Sequence, residues 1–201
     1  MSHRAWGPGY VDRMRPYRHH AAVAPAASPG RDAERRRAIL DAALACFLQF
    51  GYDKTSLDDI AGRADISRTL IYRKFRNKEQ IFGALFQQMF EGRYQAAERA
   101  VAEHGRPRDK LLELYRIMLL EPWQMIAGAP MAAEFYDTCV RLEPKEEAKR
   151  SRVLLRCTQA VLGDKELADV FLLAVDGLTS DLPRPAALRR RLELLIDRFV
   201  A

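Results

Sequence analysis

The sequence predicts an all-α protein with a small three-helix unit at its N-terminal end and a larger helical body behind it. Three observations carry this. Apolar residues recur at spacings of three and four along most of the chain, and no segment alternates with period two over a useful length. Cap residues and breakers fall where those periodic stretches begin and end, as at Ser56, Ser67, Asn77, Gly51 and Gly163. Ser56 to Lys78 reads as two short helices joined by little more than Asp65-Ile66, which is the pattern of a helix-turn-helix.

Taken in order, residues 1–30 hold four Pro and three Gly without helical periodicity and predict a disordered basic arm. The first helix spans about Asp32 to Phe50, with Ile39, Ala43 and Phe47 on one stripe and Gly51 ending it. Its opening Arg35-Arg36-Arg37 opposes the helix dipole and suits a neighbouring phosphate backbone, with a solvated charge run as the plainer reading. Ser56 and Asp59 open the second helix as a capping box, and Leu57, Ile60, Ala61 and Ala64 form its inner face. Ser67 caps the third, which turns Leu70, Ile71 and Phe75 inward.

A fourth helix, capped by Asn77, is predicted from Lys78 to about His104, a rigid rod of roughly 40 Å at 1.5 Å per residue. A fifth spans about Arg108 to Glu121. Pro122 and the Gly128-Ala129-Pro130 stretch bound a short sixth, and the next runs from Met131 to Leu142. Pro144 starts another that Gly163 ends. The last two span Lys165 to Leu182 and the stretch after Pro185, with Phe171, Leu178, Leu188, Leu192, Leu195 and Phe199 at seam-like spacing.

The third helix suggests a chemistry. From Ile66 to Lys78 there are five cations and no acid. Arg68, Thr69, Tyr72 and Arg73 share its outer side, where Arg matches guanine edges and Tyr and Lys match phosphate oxygens. Net charge agrees with this. Residues 1–80 hold 15 Lys and Arg against 9 Asp and Glu, whereas the remainder holds 18 of each, so the whole excess of +6 lies with the helix-turn-helix.

These residues resemble the DNA-binding segment of the TetR family of transcriptional regulators. The resemblance begins at Arg37-Ala38-Ile39-Leu40 and Phe47, and continues through Gly51-Tyr52, Thr55-Ser56 and Ile60-Ala61-Gly62-Arg63-Ala64. It ends with Ile66-Ser67, Leu70-Ile71-Tyr72, Phe75 and Lys78-Glu79. Two departures are Asp65 at the turn position where Gly is usual and Arg73-Lys74 where an aromatic-His pair is common.

The resemblance implies a helix-turn-helix DNA-binding domain over 31–77 and a C-terminal helical effector-binding and dimerisation domain over 78–201. Thr55, Ser56, Tyr72 and Lys78 are then expected at phosphates, with Arg68, Thr69 and Arg73 at base edges and Ser67 and Lys74 beside them. The implied partners are a double-stranded operator, a second copy of the chain through the last two helices, and a small lipophilic effector. The implied role is a cytoplasmic, ligand-responsive repressor. Two alternatives stay open: a DNA-binding protein of this fold without an effector, and an interaction module whose head no longer binds DNA.

For the effector, the second half offers Phe86, Phe90, Tyr94, Tyr115 and Met118 from its earlier helices. Trp123, Met125, Phe135, Tyr136 and Cys139 follow, giving an apolar cavity with a few hydroxyls. No catalytic motif is present, and Glu146-Glu147 reads as part of a solvated charged helix face. Three widely spaced cysteines without CxxC read as core residues, and the four histidines have no metal-ligand spacing, so no enzyme activity, cofactor or metal is expected. No apolar run is long enough to span a bilayer.

Overall fold

The computed structural model describes residues 29–200, so the expected arm lies almost wholly outside it. Every regular element described is helical. Helix α1 (Pro29–Phe50) begins three residues earlier than its sequence pattern predicts. It packs on α2 (Leu57–Arg63), α3 (Arg68–Lys74) and α4 (Lys78–Phe90) around Ile39, Phe47, Ile60, Ile71 and Phe82, all essentially sealed from solvent. The capping box forms as predicted. Ser56 Oγ accepts from Asp59 N–H at 3.1 Å while the Asp59 carboxylate accepts from Ser56 N–H at 2.8 Å. Asp65 takes the left-handed conformation at φ 51°, so it fills the turn position without glycine.

The long fourth helix is not a single rod. It stops at Phe90, and α5 (Arg93–Ala102) starts after Gly92, whose φ of 74° lies in the left-handed region. Met89 and Phe90 are buried on one side of the break and Ala97 on the other, so the apolar pattern runs through it and conceals it. Conversely, α6 (Pro107–Tyr115) and α7 (Glu121–Ile126) are joined by a π-helical turn over Arg116–Leu120. Pro122 has no N–H to donate and crowds the turn before it. The wider turn, in which Glu121 N–H reaches Arg116 O, accommodates it without ending the helical path.

Helices α8 (Ala132–Leu142) and α9 (Pro144–Leu162) follow the predicted bounds closely. Helix α10 (Lys165–Gly177) ends five residues early, and turns lead to α11 (Pro185–Phe199). The expected seam is corrected here. Phe171, Leu188 and Leu192 are 0% exposed within one chain, so they fill its own core and cannot meet a second copy. Leu178, Leu195 and Phe199 are half-buried against that core, and Phe171 and Phe199 meet edge to face at 4.9 Å. The apolar residues left most exposed on α10 and α11 are Val170, Leu173 and Leu194, with Leu173 72% exposed. None of the described helices is long and apolar enough to cross a membrane.

Candidate nucleic-acid interface and ligand cavity

On the head, Arg68, Thr69, Tyr72 and Arg73 project together from α3 into solvent, and Tyr72 is 54% exposed despite its ring. Arg68 leans on Asp58 of α2 at 3.2 Å, a pair so exposed that it holds the guanidinium only weakly. Five other residues expected at DNA are occupied elsewhere. Thr55 is 3% exposed and its hydroxyl donates to Gly51 O at 2.7 Å. The Ser56 and Ser67 hydroxyls accept the first N–H groups of α2 and α3.

Lys74 is half-buried and ion-paired with Asp32 of α1. The ammonium of Lys78 donates to Tyr52 O at 2.5 Å and Asp53 O at 3.3 Å, and lies 4.3 Å from the centre of the Tyr52 ring. The resemblance places these five at DNA, and it does not reveal that a neighbouring backbone carbonyl, backbone N–H or carboxylate engages the polar atom. Arg35, Arg37 and Arg76 are exposed on the same head.

In the body, α4, α6, α7, α8, α9, α10 and the π turn enclose a cavity of about 90 Å³. Of the ten residues expected there, Phe86, Phe90, Tyr115, Met118, Trp123, Phe135, Tyr136 and Cys139 line it. Tyr94 does not. It stacks on Phe90 on the far side and carries Lys149 4.8 Å from its ring centre. Met125 faces away and is largely exposed. Burial pushes the Cys139 thiol up to about 12, so it is an inert apolar surface at neutral pH.

The sequence pattern misses the polar wall of this cavity. Glu147, assigned to a solvated face, lines it with Arg150, whose Nε lies 2.9 Å from both Glu147 carboxylate oxygens. Burial is the largest single influence on the Arg150 guanidinium and would lower it, but the hydrogen bond to Glu147 and the charges of Glu147 and Asp176 together raise it. Asp176, from α10, completes the wall. Partial burial raises its carboxyl, and the neighbouring Arg150 offsets part of that. Among the described residues, no cluster of His, Cys, Asp and Glu is able to hold a metal ion.

Helix α8 connects the two regions. Its Phe135, Tyr136 and Cys139 face the cavity, while Glu134 Oε1 accepts from Tyr52 N–H of the head at 2.8 Å. Met131 N–H donates to Leu48 O at 3.0 Å, and Phe135 packs on Phe82 at 5.3 Å. Gly51 allows the approach. Its φ is 88°, and a Cβ there would sit 2.5 Å from a Glu134 carboxylate oxygen.

The family described as bacterial regulatory proteins, tetR family, matches residues 39–85, which run from α1 through most of α4. Residues 39–85 belong to the TetR family. A transcriptional repressor of Mycobacterium tuberculosis is 35% identical over 100 residues, covering 50% of this chain and 49% of its own. The probable acrEF/envCD operon repressor of Escherichia coli K12 is 36% identical over 95 residues, covering 47% of this chain and 42% of its own. The chain thus spans about half the length of these relatives.

Likeness in fold extends further. A TetR-like regulator from Rhodococcus sp. RHA1 superposes with TM-score 0.63 at 23% identity, over 83% of this chain and 95% of that one. The complex of SmeT, a Stenotrophomonas maltophilia efflux-pump repressor, with triclosan superposes with TM-score 0.61 at 21% identity, over 83% and 90%. At these identities the TetR-like structures establish the fold of the body.

Proposed function

We propose that this chain is a cytoplasmic transcriptional repressor that binds operator DNA as a homodimer and is released by a small lipophilic molecule. Residues 31–77 then form the DNA-binding domain, and 78–201 the effector-binding and dimerisation domain. The observation that carries the reading is the exposed Arg68, Thr69, Tyr72, Arg73 face on a third helix without an acid, within a TetR-family segment. Such a face enters a major groove, with the arginines at base edges and Tyr72 at a phosphate.

The cavity supports the effector part of the reading. At about 90 Å³ it admits only a compact molecule, since drug-sized ligands need roughly 300 Å³ or more. A larger ligand therefore enters by displacing lining side chains. On this reading, an expanding cavity pushes α8 and draws Glu134 away from the Gly51–Tyr52 turn, tilting the head. The signal is routed through α8 and not along α4 and α5, because Gly92 interrupts that helical path. Two heads so tilted lose the groove spacing of about 34–36 Å per turn. Dimerisation is assigned to the outward faces of α10 and α11, where Val170, Leu173 and Leu194 lie uncovered.

The test is fluorescence anisotropy with duplex DNA taken from upstream of the protein's own gene. Wild type binds one sequence above competitor DNA, and the double variant Arg68→Ala/Tyr72→Ala does not. Equal binding by wild type and the double variant would remove DNA recognition from this face.

A further inference from the structure

Several donors in the cavity wall are occupied, and one of its carboxylates is not. Trp123 Nε1–H donates to Pro183 O at 2.9 Å, and the Thr179 hydroxyl donates to Asp176 O at 2.9 Å. The Tyr115 and Thr158 hydroxyls share one bond at 2.9 Å. Arg150 gives its Nε and Nη2 to Glu147 in a forked pair. By contrast, the Asp176 carboxylate has no hydrogen-bond partner among the described residues and feels Arg150 only through space.

Asp176 also borders an adjoining hollow that shares Trp123, Tyr136 and Thr179 with the cavity and adds Asp137, so this side of the cavity is acidic and aromatic. Glu147, Arg150 and Asp176 leave the wall with one net negative charge. An organic acid entering here would meet the like charges of Asp176 and Glu147, with only Arg150, already paired to Glu147, to offset them. A cation instead pairs with the exposed Asp176 carboxylate, which has Tyr136 and Trp123 in the same wall.

We infer that the cavity selects an aromatic amine in its protonated form, with the ammonium at Asp176 and the ring among Phe86, Phe135 and Trp123. This rests on reading the cavity as the effector site, and it adds the ligand's charge to that reading.

Three probes of one shape and different charge test it: 2-phenylethylamine, 2-phenylethanol and phenylacetate, titrated calorimetrically at neutral pH into the full chain. The amine should bind the wild type about ten-fold tighter than the alcohol, the scale of a partly desolvated cation contact. In Asp176→Asn the amine should fall to the level of the alcohol, while the alcohol keeps its wild-type affinity and so reports an intact cavity. An amine advantage that survives Asp176→Asn, or phenylacetate binding as tightly as the amine, overturns the charge assignment and leaves the cavity as the effector site. Binding by none of the three overturns both.

Discussion

Among single residues, position on the head decides role more than residue type does. Arg68 and Lys78 are both cations of the TetR-like segment, yet one projects to solvent and the other secures two carbonyls of the α1–α2 turn. Arg68→Ala should therefore relax preference at one base position by about 1–3 kcal/mol, measured by anisotropy across single-base operator variants. Lys78→Ala should instead lower the melting temperature without altering base preference. Asp59 gives a pH-dependent case. Hydrogen bonds from the Ser56 hydroxyl and backbone N–H hold its carboxyl below the ordinary value of 3.8. A carboxyl depressed in the folded state contributes stability in full above its unfolded value and loses it as pH falls through the folded one. Asp59→Ala should thus lower the melting temperature at pH 7, and the gap from wild type should close as the pH is taken well below 3.8.

For the helices themselves, legibility follows from whether the start and stop signals are local. Helix α9 is readable to the residue because Pro144 lies in its first turn and Gly163 takes a left-handed φ of 77° just past its end. The break at Gly92 is hidden because apolar residues keep helical spacing across it. The shared wall of the cavity is hidden for a different reason. Glu147 and Arg150, three apart on α9, look like any surface pair, and only the packing of α8 and α10 over them makes them a cavity wall. Aromatic residues such as Phe86, Trp123 and Phe135 are legible as a set, but that set does not reveal that Tyr94 turns away. Gly92 is left-handed, and nothing lies within 4 Å of where a Cβ would stand, so Gly92→Ala should cost about 1–2 kcal/mol from backbone strain alone. Chemical denaturation measures it, and a variant as stable as wild type would mean that α4 and α5 can join into one helix.

At the scale of the whole molecule, one core runs from the head through α4 and α8 into the body, and α10 and α11 leave Val170, Leu173 and Leu194 uncovered. Leu192 and Leu173 separate the two roles. Leu192→Ala empties a fully buried site and should cost about 2–5 kcal/mol, seen as a lowered denaturation midpoint. Leu173→Asp, at an exposed position, should leave the fold intact and shift sedimentation from dimer to monomer with weakened operator binding. A dimer that persists in Leu173→Asp would place the subunit contact elsewhere.

The claim that joins these scales is that cavity and head exclude each other's ligands through α8. Coupling of this kind is reciprocal: a ligand that weakens operator binding 100-fold, about 2.7 kcal/mol, must itself bind the operator-bound protein 100-fold more weakly. The most direct measurement is a calorimetric titration of 2-phenylethylamine into the protein, free and saturated with operator. The account predicts weaker binding to the operator complex, by the same factor by which the amine weakens operator binding. Equal affinity in the two titrations would contradict it.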